Sequence, residues 1–148
     1  MREILFRGKK KDNGEWVEGA YYHQSEFYGD EWSADYIITT KDELEDNMMI
    51  RERVIPETVG QYTGLCDKNG KKIFEGDILE SRASENSEDW KRWLCIYHDG
   101  SFCFEREFGK RKKKYEQNLL CEDEIDLYGL EVIGNIHDNP ELLKGGAE

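Results

Sequence analysis

Residues 60–80 read GQYTGLCDKNGKKIFEGDILE, a stretch that predicts a β-hairpin followed by a third strand. The pair Asn69-Gly70 joins the segment 62–66 to the segment 72–74. An Asn-Gly pair in this setting is the strongest short-range hairpin signal, because both residues tolerate a positive φ angle. The stretch therefore favours antiparallel β-structure over helices.

A sharp corner is predicted directly after this hairpin, at Glu75-Gly76-Asp77, ahead of a strand at 78–80. Gly76 is expected to take a positive φ angle, which costs glycine little because it has no Cβ atom. The short carboxylate of Asp77 is expected to accept backbone hydrogen bonds and fix the corner. This structural role is preferred over a metal-binding one, since turns commonly select aspartate for it.

A hairpin is also predicted near the start of the chain, where Asn13-Gly14 separates runs at 4–10 and 16–22. If these two residues form the whole turn, opposite charges and aromatic side chains face each other across the strands. The expected pairs are Lys9 with Glu18, Phe6 with Tyr21, and Leu5 with Tyr22.

A third hairpin is predicted at Asp99-Gly100, between runs at 93–98 and 101–104. A two-residue turn fixes how the strands pair. Because side chains alternate between the two faces of a strand, Cys95 and Cys103 are expected to point to opposite faces. The expected pairs are Tyr97 with Phe102, Cys95 with Phe104, and Ile96 with Cys103.

The remaining elements are predicted to be short. An extended segment at 53–62 is interrupted by Pro56, which suits a strand edge or a boundary between two parts of the fold. Pro140 suits the first position of a short helix. The other expected elements are strands at 36–40 and 130–136, a short helical or irregular stretch around 119–127, a loop at 23–35, and a single helical turn or a solvated loop at 41–47.

Composition and charge indicate one acidic domain. The chain has 148 residues, and its 4 Trp, 8 Tyr and 6 Phe supply bulky groups for a core. The formal charge of −12 repels polyanions and anionic membrane surfaces at long range, so neither is the default partner. No apolar run approaches the ~20 residues that cross a bilayer, and no signal-peptide core is visible, so a cytoplasmic location is expected.

Four cysteines raise the question of a metal or redox site: Cys66, Cys95, Cys103 and Cys121. They lack the closely spaced pairs that bind structural zinc, and the predicted hairpin places Cys95 and His98 on opposite faces. Reduced, partly buried thiols are therefore the preferred interpretation. No cofactor or metal is expected, and no signature supports a cysteine nucleophile paired with histidine.

One basic run interrupts the acidic pattern, Lys110-Arg111-Lys112-Lys113-Lys114, with Phe104, Phe108 and Tyr115 close by in sequence. Basic loops with exposed aromatic rings bind nucleic acid in small barrels. Because the chain is so acidic overall, a solvated loop or a contact with an acidic protein surface is preferred over a phosphate-binding site.

Three segments resemble the YopX family of phage and prophage proteins, and together they span nearly the whole chain. The matching motifs are REI and FRG within residues 2–8, VGQYTGL, DKNG and FEGDI within residues 59–78, and VIGNI and DNPELL within residues 132–143. The segments 23–52 and 82–127 carry little of the resemblance.

This resemblance implies a mainly β protein that contains a small SH3-like barrel and is encoded by bacteriophages or prophages. It places the protein in the cytoplasm of the bacterial host cell. Residues 1–55 would form an N-terminal β-hairpin region packed on the barrel, and residues 56–148 would form the barrel itself. The family supplies no established activity that could be transferred.

Three classes of function follow from these observations. The preferred hypothesis is a non-enzymatic phage accessory protein that binds a protein partner or assembles with itself. Trp16, Trp32, Trp90 and Trp93 are its candidate contact anchors where they are exposed, and the alternative is that most of them are core residues. The alternative is nucleic-acid binding through the barrel and residues 110–114. A metal-dependent enzyme is least favoured, because acidic clusters arise by chance in such a chain. Its candidate ligands would be Glu75, Asp77, Glu122, Asp123, Glu124 and Asp126.

Overall fold

A computed structural model describes residues 2–25, 34–41, 48–82, 90–108 and 114–144, and within these ranges the side chains of residues 40, 41, 48, 108 and 114 are not described. The chain divides into two compact units, Met1–Tyr62 and Thr63–Glu148. The division predicted from the sequence, into residues 1–55 and 56–148, stays a prediction.

The protein is mainly β, as predicted, with eleven strands and one α-helix in the described parts of the chain. The helix, α1, spans Glu122–Tyr128, and short 3-10 helices span Pro56–Thr58 and Pro140–Leu143. The strands are β1 Phe6–Lys9, β2 Trp16–Gln24, β3 Ala34–Lys41, β4 Met48–Val54, β5 Gly60–Cys66, β6 Lys72–Phe74, β7 Asp77–Arg82, β8 Trp90–His98, β9 Ser101–Phe108, β10 Lys114–Leu119 and β11 Glu131–Asn135.

The first unit is built on an antiparallel sheet with the strand order β4-β3-β2-β1-β5. One face of this sheet buries Ile37 and Val54, which are 0% and 1% exposed. Gly8 packs directly against Val54, since a Cβ atom at Gly8 would lie 3.0 Å from the Val54 Cβ. Strand β5 begins in this unit and continues into the second.

The register predicted for the first hairpin was wrong. Phe6 pairs with Gly19, not with Tyr21, because the turn has four residues, 11–14, between Lys10 and Glu15. Gly14 has a φ angle of 72°, and the Asn13 side chain accepts a hydrogen bond from the Glu15 N–H at 2.9 Å. This side-chain hydrogen bond stabilises the four-residue turn. The prediction assumed a two-residue turn and did not consider this bond.

The segment predicted to be extended at 53–62 is divided by the 3-10 helix at Pro56–Thr58. Pro56 suits the start of this helix, where its missing N–H is not needed. The strand predicted at 36–40 is confirmed within β3. Residues 26–33 and 42–47 of the two predicted loops lie outside the described residues. Residues 23–24 and 34–35 of the first loop and residue 41 of the second belong to strands.

The second unit contains the hairpin of β5 and β6 and a five-stranded antiparallel sheet in the order β10-β9-β8-β7-β11. Strand β10 was not predicted, whereas β11 and the short helix that starts at Pro140 confirm the expected elements. In the described residues β10 and β11 are the two edge strands and do not pair with each other, so the sheet is open. A closed barrel is therefore not observed.

The core of the second unit is formed around Trp93, which is 0% exposed. Its ring lies edge-on to Phe104 at 4.9 Å and to Tyr128 at 6.2 Å between ring centroids. The indole N–H donates a hydrogen bond to the Ser81 Oγ at 2.9 Å. This bond satisfies the one polar atom that the ring brings into the core.

The hairpin of β8 and β9 has the predicted register, with Tyr97 opposite Phe102 and Ile96 opposite Cys103. Asp99 and Gly100 have φ angles of 49° and 80°. Positive φ angles at both central residues define a type I′ turn, whose twist matches that of the flanking strands.

The side chain of Asp67 organises the hairpin of β5 and β6, a role that was not predicted. Its Oδ1 accepts hydrogen bonds from the N–H groups of Asn69 and Lys71, both at 2.9 Å. Its Oδ2 accepts a third from the Val132 N–H at 2.9 Å. One buried carboxylate thus connects the turn at Asn69-Gly70 to strand β11.

The corner after β6 is also fixed by a buried aspartate, which here accepts a backbone hydrogen bond. Gly76 has a φ angle of 92°, and the Asp77 side chain is almost fully buried at 1% exposure. The Asp77 Oδ2 accepts a hydrogen bond from the Phe74 N–H at 2.8 Å. This bond closes the corner between β6 and β7.

Candidate binding surface

The residues singled out from the sequence do not form one site. Residues 110–113 of the basic run lie outside the described residues, and Lys114 begins β10. A nucleic-acid site at Lys110 to Lys114 therefore stays a prediction. The turn residues lie at separate chain reversals: Asn13-Gly14 in the first unit, and Asn69-Gly70, Gly76-Asp77 and Asp99-Gly100 in the second.

The four tryptophans proposed as contact anchors have different environments. Trp93 is a core residue, in line with the alternative that most of these tryptophans belong to the core. Trp90 is half-buried, with the Arg92 guanidinium 4.5 Å from its ring centroid. Trp16 is half-buried in the first unit, and Trp32 lies outside the described residues.

The cysteines are free thiols in the structure. Burial raises the pKa of the Cys103 thiol, and the nearby charges of Glu105 and Asp99 raise it further. A thiol held protonated in this way is a poor nucleophile. Within the described ranges, no three His, Cys, Asp or Glu side chains are placed to hold a metal ion.

One face of the sheet in the first unit brings basic and aromatic side chains together. Residues opposite each other in a sheet share a face, and so do alternate residues along a strand. Lys9 is opposite Trp16 at one end of this face, and Tyr36 is opposite both Tyr22 and Arg53 at the other. We call this the cationic aromatic face, defined by Arg7, Lys9, Trp16, Tyr22, Tyr36, Arg51 and Arg53.

The rings of this face already contact cations. The Arg51 guanidinium lies 4.4 Å from the Tyr36 ring centroid, and its Nη1 donates to the Gln24 Oε1 at 3.3 Å. At the other end the Arg7 guanidinium lies 4.7 Å from the Trp16 ring. The rings of Tyr22 and Tyr36 are neighbours, with centroids 6.4 Å apart. These contacts hold flat rings and positive charges side by side.

The charge of this face is opposite to that of the whole chain. Its basic side chains are Arg7, Lys9, Arg51 and Arg53. Among the described residues of β1 to β4, the acidic side chain on this face is Glu18, which lies opposite Arg7. The chain as a whole has 21 basic and 33 acidic residues. Positive charge is therefore concentrated on this face. Because salt screens charges more than ~8 Å away, a ligand in contact with the face is attracted by these cations despite the negative charge of the whole chain.

The opposite face of the same strands holds a hydrogen-bonded group of three side chains. The Tyr21 hydroxyl donates to the Asp35 Oδ1, and the His23 Nδ1 lies 3.0 Å from the same oxygen. Burial raises the pKa of Asp35, but the hydrogen bonds from Tyr21 and His23 and the charge of His23 outweigh burial and lower it. This group links β2 to β3 and keeps Asp35 ionised.

The hydrogen bond between Tyr21 and Asp35 predicts a pH dependence. It is the main cause that raises the pKa of Tyr21 from 10.0 to about 12, with burial and the charge of Asp35 adding to it. The unfolded chain therefore ionises first, so this stabilisation is complete below pH 10 and is lost as the pH rises towards 12. An NMR titration of the Tyr21 ring would measure the shift.

The Tyr21→Phe variant removes a donor to Asp35 and should raise the pKa of that carboxyl towards its ordinary value. Stability that depends on the ionised Asp35 is lost on acidification, and this loss should begin at a higher pH in the variant. Tyr22→Phe, on the other face, is the matched control. An Asp35 pKa that is the same in both variants would contradict the assigned hydrogen bond.

A groove on the second unit is one concave alternative. Its volume is about 170 Å³, and Arg92, Glu105 and Tyr115 are among the residues that line it. Burial raises the pKa of Glu105, more than the charge of His98 lowers it. Arg92 is already engaged, since its Nη1 donates to the Leu142 carbonyl at 3.0 Å. The groove is smaller than the roughly 300–1,000 Å³ of typical ligand sites.

Reasoning from the sequence alone did not identify the cationic aromatic face. One signal for it was present, because Met49, Arg51 and Arg53 alternate along 48–54, as expected for a strand with one exposed face. Residues 48–52 were assigned to no element, and 53–54 were placed at the start of the interrupted extended stretch. Tyr22 and Tyr36 carry no local signal that they are neighbours.

No helix in the described parts of the chain is long and apolar enough to cross a membrane.

The sequence and the structure were compared with known proteins. A family model described as YopX protein matches residues 5–144. The crystal structure of protein EF1440 from Enterococcus faecalis is similar to this one, with 28% sequence identity, a TM-score of 0.56, and coverage of 97% of this chain and 99% of that chain. The comparison with curated proteins finds no match. Because the family model matches nearly the whole sequence, the chain belongs to the YopX protein family.

Proposed function

We propose that this YopX-family chain is a non-enzymatic accessory protein of a phage or prophage that binds a negatively charged macromolecule through the cationic aromatic face. The observation that carries the proposal is the placement of Tyr22, Tyr36 and Arg51 on one exposed sheet face of a chain with a formal charge of −12. Tyrosine, tryptophan and arginine dominate the energy of protein interfaces.

The anionic groups that fit this face are carboxylates and phosphates. A protein partner, or a second copy of this acidic chain, would supply carboxylates, and this was the first expectation from the sequence. Nucleic acid, the alternative, would supply phosphates. In both cases arginine can form paired hydrogen bonds with the anion, which lysine cannot do in the same planar geometry.

The same proposal includes an SH3-like arrangement for the second unit, as the resemblance implies. Its short antiparallel strands and the tight turns at Asn69-Gly70 and Asp99-Gly100 support this arrangement. Small barrels of this kind commonly act as binding modules, with contacts made by loops and one sheet face. A catalytic role is not part of the proposal.

Charge reversal on the face tests this function. The double variant Arg51→Glu/Arg53→Glu should bind labelled polyglutamate and labelled oligonucleotides about tenfold or more weakly than the wild type, measured by fluorescence anisotropy at low salt. Both residues are exposed, so the fold should be retained, which circular dichroism would check.

Lys71→Glu/Lys144→Glu is the matched control, because it makes the same change of charge at exposed positions in the second unit. If this control weakens binding as much as the double variant on the face, the effect is one of net charge and the proposed site is wrong. If the wild type binds neither polymer at low salt, the proposed function is wrong.

A further inference from the structure

We infer that the cationic aromatic face binds single-stranded nucleic acid, with bases stacked on its tyrosine rings and phosphates held by its arginines. The inference rests on the proposed function and names the class of ligand for that site.

The rings decide between the two anionic ligands. Tyr22 is 46% exposed, and its ring lies 6.4 Å from that of Tyr36 with an angle of 34° between the ring planes. Two neighbouring rings on adjacent strands form a platform on which successive bases can stack. An acidic protein segment supplies carboxylates but few flat rings, so it would leave this platform unused.

The arginines are placed to hold the backbone of the same ligand. Arg51 is exposed, with its guanidinium over the Tyr36 ring at 4.4 Å, and its bond to Gln24 uses one of the five N–H donors of a guanidinium. Arg53 is exposed on the same strand, two residues further along the same face. A ligand stacked on Tyr36 would therefore bring its phosphates within reach of two planar cations.

The aromatic rings on this face favour single strands over duplexes. Bases in a duplex are stacked on each other and cannot lie on protein rings, whereas unpaired bases can be splayed onto a sheet. The acidic remainder of the chain repels any polyanion at long range and slows association. Binding should therefore be modest and strongly dependent on salt.

The experiment compares labelled oligo-dT with a strand of the same length that lacks bases, a duplex, and polyglutamate. Oligo-dT should bind more tightly than the strand without bases. Its affinity should fall with salt with a slope of about −2 to −3 if three or four phosphates are contacted, and Arg51→Gln or Arg53→Gln should each flatten that slope by about 0.7.

Removal of a ring tests stacking directly. Tyr36→Ala and Tyr22→Ala should each weaken binding of oligo-dT about tenfold and leave binding of the strand without bases unchanged. Tyr36→Phe keeps the ring and should bind as the wild type does. Tyr97→Ala is the control, since Tyr97 is 54% exposed but lies in the second unit.

Each alternative result has a distinct meaning. If polyglutamate binds through Arg51 and Arg53 while oligo-dT binds no better than the strand without bases, the proposed function stands and this inference is wrong. If neither polymer binds, both fail. If Lys112→Gln/Lys113→Gln abolishes binding of oligo-dT and the tyrosine variants do not weaken it, the nucleic acid binds the basic run, and this inference is wrong.

Discussion

Asp67→Ala is expected to lower the free energy of unfolding by about 3–5 kcal/mol, because it removes the acceptor of three backbone hydrogen bonds at once. Asp67 is 6% exposed, so the turn and strand β11 lose a common partner away from bulk water. Asp67→Asn keeps one carbonyl acceptor and should cost less, about 1–3 kcal/mol. Urea unfolding followed by circular dichroism would measure both losses.

Asp126→Ala is the control for this loss, since Asp126 is exposed on α1 in the same unit. Surface substitutions of this kind usually change stability by no more than about 0.5 kcal/mol. Equal unfolding midpoints for Asp67→Ala and Asp126→Ala would show that the three hydrogen bonds do not determine the stability of the second unit.

Trp93→Ala is expected to have an effect of similar size, about 3–5 kcal/mol, for a different reason. The substitution leaves a cavity between Phe104 and Tyr128, whose rings both pack on the indole. It also leaves the Ser81 hydroxyl without its hydrogen-bond donor. Trp93→Phe keeps much of the packing and should lose less, and chemical denaturation of both variants would measure the difference.

Trp90→Ala provides the comparison, because Trp90 is half-buried and its ring contacts Arg92 at 4.5 Å. Its loss should be near 1 kcal/mol, the size of an exposed cation–π contact. A loss as large as that of Trp93→Ala would place Trp90 in the core instead. Because Trp93 has no exposed surface, the folded fraction of the Trp93→Ala variant should bind ligand as the wild type does.

Local chemistry explains which hairpin was predicted well. At Asp99-Gly100 both residues adopt positive φ angles, so the turn alone determines how β8 and β9 pair. At Asn13-Gly14 the same type of pair lies in a four-residue turn, stabilised by the Asn13 side chain. The pair predicts that the chain reverses, but the length of the turn depends on contacts that the two residues do not specify.

The cationic aromatic face could not be predicted, because it depends on which strands become neighbours. Tyr22 and Tyr36 are brought together by the pairing of β2 with β3, and Arg51 joins them through the pairing of β3 with β4. The segments that connect these strands, 25–33 and 42–47, contain no Asn-Gly or Asp-Gly pair. Periodicity can place a residue on one face of its own strand, but it does not say which strand lies beside it.

The amino-acid sequence by itself determined the β class, the turns at Asn13-Gly14, Asn69-Gly70 and Asp99-Gly100, and membership of the YopX family, because turn residues and family motifs are local and contiguous. Only the tertiary structure decided that Asp67 binds Val132, 65 residues away, and that Trp93 is core while Tyr22, Tyr36 and Arg51 share a surface. The physical reason is that burial and long-range hydrogen bonds depend on strand pairing, which minimises the free energy of the whole chain and has no local code.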